Sequence, residues 1–170
     1  MHRNTPEPNR ESWVRSVPVL FDLPESPAAF TAAHSARVYS TVTWLCDQVC
    51  AVAAGLIDSI PTPRTKVSLS VAARVFAWHA DQWRALIPES VLLEDDRRAA
   101  PGPAARKALA DLAGAEPLVR ERSLRALVHE MRDEIDRLTA RLSPVSDGAA
   151  ARLATVLHAD LGRLSEALEG

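Results

Sequence analysis

The sequence predicts an all-α protein: four long helices forming two antiparallel hairpins, joined by one long crossover and preceded by an extended arm over residues 1–26. Three observations carry this. Alanine occupies 29 of 170 positions and glycine only 6, a composition that favours helices and disfavours barrels, sandwiches and glycine-loop folds. Apolar residues recur at spacings of three and four along several stretches, the repeat of a helix with one buried face. The breaks between these stretches are short, long, then short, which sets the topology.

The arm holds Pro6, Pro8, Pro18 and Pro24 without a sustained helical period. Within it, Val17-Pro18-Val19-Leu20-Phe21 and Trp13 are expected to pack on the body. A helix over about 27–60 starts with Ser26 as cap and Pro27 at the first helical position, and stops before Pro61 and Pro63. A second covers about 67–87, entered through Thr65 or Ser68 and ended by Pro88. Residues 89–116 turn from acidic to basic to Pro-Gly-Pro, with a short helix at 103–113. The third long helix spans about 117–142. The fourth, over about 148–168, follows the turn Pro144-Val145-Ser146-Asp147-Gly148, where Ser146 or Asp147 is the cap. Short turns make each pair a hairpin, and nearly 30 residues between the pairs can travel the length of a bundle. Up-down-up-down connectivity, with residues 89–116 as a cap, is the alternative. Everything from residue 27 to 170 is then one domain.

Charge and cysteine content narrow the partners. A net charge of −2 disfavours nucleic acid, and the longest apolar run, Val49 to Ile57, is less than half of the roughly 20 residues a membrane span needs. No apolar run follows a basic start in Met1 to Pro27, so no secretory signal is expected. Cys46 and Cys50 lie one helical turn apart, where a bridge would strain the backbone; both read as reduced thiols of a cytoplasmic protein. Arginine outnumbers lysine 18 to 2, which suggests a GC-rich bacterial genome.

The seams expose the candidate chemistry. Leu124, Leu127, Val128, Met131, Ile135, Leu138 and Leu142 form one stripe, and Leu153, Leu157, Leu161, Leu164 and Leu168 another. A third stripe holds Ala72, Val75, Phe76, His79, Trp83 and Leu86, so His79 alone among the five histidines sits squarely inside a seam. Folding the hairpins at their turns brings Gln48, His79, Gln82, Glu130, His158 and Asp160 to a similar height. Histidine titrates near neutral pH, so His79 is the candidate acid/base, with Asp160 or Glu130 orienting it. Tyr39, Trp44, Gln48, Gln82, Trp83 and His158 would line a substrate pocket. The plainer reading is a core histidine bonded to Gln48 or a backbone carbonyl. The first long helix is apolar around most of its girth from Leu45 to Ile57, which suggests either a central position or a homodimer contact.

The segment Ala77-Trp78-His79-Ala80-Asp81-Gln82-Trp83-Arg84-Ala85-Leu86-Ile87-Pro88 resembles the second helix of bacterial ferritin-like proteins. Ser143-Pro144-Val145-Ser146-Asp147 and its following helix are similar to their last hairpin, and the likeness spans roughly 27–168. It implies a ferritin-like four-helix bundle. That superfamily's di-iron members take a Glu from each of two helices and a Glu-x-x-His from each of the others. This sequence has no Glu-x-x-His, no carboxylate between Phe30 and Cys46, and Tyr39 in the stretch where a Glu is expected. The resemblance is therefore to a degenerate member without metal or other cofactor. It implies an enzyme that binds a small organic substrate in the bundle centre. A non-catalytic scaffold dimerising through the first helix is one alternative. A mononuclear oxygenase or hydroxylase using His79, His158 and Glu130 or Asp160 is another.

Overall fold

A computed structural model of the chain describes residues 20, 21, 23 and 30–169, and their regular secondary structure is all helical, with no strand among them. Most of the expected arm, including Trp13 and Val17, lies outside them, as do Ser26 and Pro27. Leu20 and Phe21 are both buried, and the Leu20 amide donates to Glu134 Oε1 at 3.2 Å.

Helix α1 spans Ala32–Leu56 rather than 27–60. Phe30 and Thr31 are not helical. Thr31 is extended, and its hydroxyl accepts the His34 amide at 3.2 Å, so the cap sits five residues beyond the expected one. At the other end Ser59 donates to Leu56, a tightened last turn that stops the helix before Ile60. Helix α2 spans Pro63–Leu86 and starts earlier than expected because Pro63 takes the first position, where its fixed φ is already helical. Ser68, expected at the entry, lies inside the helix and donates to Ala167 O at 3.0 Å. The connection holds a 3-10 turn at Val91–Leu93, α3 at Glu94–Arg97 and α4 at Pro103–Gly114. The sequence reading has only the last of these. Helices α5, Pro117–Thr139, and α6, Gly148–Glu169, follow. The former stops three residues before Leu142, which closes its last turn by donating to Leu138 O.

The predicted stripes supply much of the core, with Val75, Leu86 and Leu153 half-buried at its edge. All seven stripe residues of the third long helix are buried, as are Leu157, Leu161, Leu164 and Leu168 of α6 and Phe76, His79 and Trp83 of α2. Directions follow from side-chain pairs. Tyr39 near the start of α1 reaches Asp147 before α6, while Gly55 near the end of α1 faces Arg120 at the start of α5. So α1 and α5 are antiparallel. Ser68 meets Ala167 and His79 meets Asp160, so α2 and α6 are antiparallel too. Helices α2 and α5 therefore run the same way, and residues 87–116 return the chain from one end of the molecule to the other.

This return path covers α1. That helix packs against α2, α3, α4 and α5, with Arg37 bonded to Asp96 of α3 at 2.8 Å and Ser40 to Arg97 O at 2.8 Å. Leu109 and Leu112 of α4 add apolar cover. Most of the apolar girth of α1 is buried inside the chain, with Ala51 and Ala54 left exposed. Among the described residues no helix is long and apolar enough to cross a membrane.

Candidate functional site

His79 is completely buried, and its Nε2 lies 2.9 Å from Asp160 Oδ2. Asp160 is about one-fifth exposed, and its other oxygen accepts from Arg163 at 2.9 Å. The Nδ1 atom is buried without a partner. Burial pushes the imidazole below its usual titration range, against the opposing effect of the Asp160 hydrogen bond and charge. A neutral ring fits this setting: Nε2–H donates to the carboxylate and Nδ1 keeps a bare lone pair. Protonating Nδ1 would put an N–H in the core with no acceptor. Trp78 closes one side edge-on, its ring centre 4.8 Å from that of His79.

The other residues expected around His79 are dispersed. Glu130 is half-buried on α5, where its negative charge acts on Glu134 one turn along. It does not join the His79 pair, because α2 and α5 stand diagonally across the core, not side by side. His158 points to α5, between Arg132 Nε at 3.1 Å and Asp136 Oδ1 at 3.2 Å. Two residues apart on one helix, His158 and Asp160 face different ways. The ligand set of a mononuclear centre is thus not assembled, and no group of three or more His, Cys, Asp or Glu gathers at metal-binding spacing among the described residues. Gln82 is exposed and Gln48 half-buried. Each is one position, about 100° of helix, from a buried neighbour, Trp83 or Val49.

Tyr39 and Trp83 do meet, their ring centres 5.5 Å apart. Two clefts are described, near the start of α1 and the end of α2, and His79 lines neither. One, of about 340 Å³, holds Trp44 with Ser40, Thr43, Asp47, Arg84 and Arg97. Its charges are largely paired: Arg84 with Asp47 at 2.8 Å, and Arg98 with Glu94 at 2.6 Å. The other, of about 300 Å³, has apolar walls from Phe30, Leu86 and Pro88 and polar groups from Ser35, Tyr39, Ser146 and Asp147. The Tyr39 hydroxyl donates to Asp147 Oδ1 at 3.3 Å, and both residues are buried. Burial and the adjacent carboxylate push the phenol up to about 12. Asp147 occupies the cap position of α6, its carbonyl accepting Ala151 N at 2.8 Å. Its Oδ2 accepts from Ser143 N at 3.1 Å and Ser146 Oγ at 3.0 Å, so the side chain braces the turn.

Asp147 as a cleft residue and Glu134 as a buried one were missed by sequence reasoning. Glu134 is 1% exposed, accepts from Leu20 N, and pairs with Arg137 at 2.8 Å. Its spacing held the signal: it lies three residues after Met131 and four before Leu138, both on the stripe. Burial raises its carboxyl above the usual range. Cys46 and Cys50 are free thiols, each pushed up by burial and so poorly reactive. No protein-family model, curated protein or solved structure matches the chain, so the geometry alone carries the functional reading.

Proposed function

We propose that this protein binds a small organic molecule in the cleft shared by Tyr39 and Asp147, on a ferritin-like bundle. The observation that carries the reading is the arrangement of that cleft. Apolar walls from two helices and a preceding segment surround a buried phenol–carboxylate contact at 3.3 Å, the usual composition of a small-molecule site. The ferritin-like assignment is supported by the two hairpins and the crossover that makes α2 and α5 run in the same direction. The free thiols suit a cytoplasmic protein.

This cleft is not the one expected around His79, which is buried, as are Phe76 and Trp83 on its own helix and Leu157 and Leu161 on α6. There His79 and Asp160 act as a polar link holding α2 to α6. A second reading keeps His79 as an acid/base, and its support is the bare Nδ1 lone pair, the form a general base requires.

A fragment screen by ligand-observed NMR tests both. Ala149 lines the cleft and is exposed, so Ala149→Trp fills the cleft without entering the core. Fragments that bind are expected to lose their signal in that variant, leaving the His79 Nδ1 resonance of the parent protein unmoved. Undiminished binding to Ala149→Trp would overturn the cleft reading. Movement of the Nδ1 resonance on ligand addition would favour the second.

A further inference from the structure

We infer that the Tyr39–Asp147 cleft selects an organic cation: an ammonium group on a small apolar body, held by the Asp147 carboxylate. This rests on the cleft being a ligand site and adds the charge of what it takes. Two carboxylates are buried among the described residues, Glu134 and Asp147. Glu134 has Arg137 at 2.8 Å. Asp147 is 7% exposed and has no cationic partner among the described residues, its contacts being a phenol, a serine hydroxyl and a backbone amide.

The contrast with the rest of the protein is informative. Several far more exposed carboxylates have a cation nonetheless: Asp47 and Asp81 share Arg84, and Asp111 has Lys107. An anion in low dielectric is stabilised by an opposite charge far more than one in water. Here the uncompensated anion lines open space of about 300 Å³. Its surroundings fit an ammonium ion: Phe30 and Tyr39 among the lining residues carry rings whose faces attract cations, and the Ser35 and Ser146 hydroxyls can accept further N–H groups. Leu86, Pro88, Ala149 and Ala150 supply apolar wall for the body. A space twice that of a benzene-sized cavity takes about ten heavy atoms, one ring with a short chain. Structural bracing of the turn uses Oδ2, whereas Oδ1 has only the long Tyr39 bond and so keeps a lone pair for a further donor.

Three probes of one shape separate the outcomes: 2-phenylethylammonium, neutral 2-phenylethanol and anionic phenylacetate, each followed by saturation-transfer NMR and Trp fluorescence. In the parent protein the cation is expected to bind at least about tenfold tighter than the alcohol, with no phenylacetate binding. Asp147→Asn keeps an acceptor for Ser143 N and Ser146 Oγ and turns its amide N–H to the Tyr39 oxygen, and is expected to lose that tenfold for the cation while leaving the alcohol unchanged. Ala149→Trp is expected to lose both. Equal binding of cation and alcohol would overturn the cation inference while leaving the cleft reading intact, since Ala149→Trp would still abolish both. Absence of cation binding, or cation binding that Ala149→Trp leaves untouched, would overturn the inference as well. The selectivity measurement needs no variant, so a poorly folding Asp147→Asn would not rescue the inference.

Discussion

Replacing His79 by glutamine is expected to change how stability depends on pH, with a sign the structure dictates. The imidazole is fully buried and its folded-state pKa lies below the ordinary value, chiefly through desolvation. In the unfolded chain it titrates near about 6.5. Above that pH the ring is neutral in both states and contributes no slope. Below it, the unfolded chain takes up a proton that the folded protein refuses, so stability is lost as pH falls. The limiting slope for one proton is about 1.4 kcal/mol per pH unit, maintained while the folded ring stays neutral. Glutamine has no such proton and, by keeping a donor for Asp160, retains part of the link to α6. Urea unfolding followed by CD between pH 8 and 5 gives the parent-minus-variant difference, which removes the other histidines from the comparison. That difference should be constant above about pH 7 and shrink below about 6.5. A flat difference would refute the desolvated-histidine account. A difference growing toward low pH would mean the opposite: a protonated His79 stabilised by Asp160. Asp160→Asn should carry the shrinkage to lower pH, because the carboxylate is what raises the pKa against burial.

Two further substitutions probe the frame. Gly162 lies inside α6, and a Cβ there would meet Arg132 only at 3.8 Å, an ordinary contact. Gly162→Ala should therefore raise stability by about 0.5–1 kcal/mol, read as a shift in the urea midpoint at constant m. Glu134 has a raised pKa, so its folded form holds a proton longer than the unfolded one, and its ionisation costs stability as pH rises above about 4.5. Glu134→Gln should be neutral or stabilising at pH 7, whereas Glu134→Ala should strip hydrogen-exchange protection from the Leu20 amide.

The helices and their buried faces were legible because helical burial is a local, periodic property. Met131, Ile135 and Leu138 announce their side of α5 by spacing alone, and each is fully buried. The His79–Asp160 contact was within reach because the turns set the register and α2 and α6 are neighbours. Glu130 was not separable from Asp160 by height, since height along a bundle does not tell an adjacent helix from a diagonal one. Helix starts were harder. Thr31 and Pro63 outcompeted Ser26 and Ser68 through backbone conformations that composition does not encode. The Tyr39–Asp147 contact joins residues 108 apart across the end of the molecule, and no periodic signal points to it. Arg132 and Asp136, spaced to pair along one helix, both turn to His158 on the next. Local spacing offers partners; packing chooses among them.

The connectivity also orders the contacts by how far apart in the chain their residues lie. Six residues join α1 to α2 and eight join α5 to α6, so each hairpin closes with little loss of chain entropy. Docking the hairpins is another matter. Ser68 to Ala167 and His79 to Asp160 join residues 99 and 81 apart, and such distant contacts are slow to form. Interactions made after the folding barrier act on the rate of unfolding, with little effect on the rate of folding. With the helices of each hairpin already paired, the polar link between α2 and α6 then serves as a latch. Weakening it is expected to speed unfolding more than it slows folding, read from the two arms of a chevron plot.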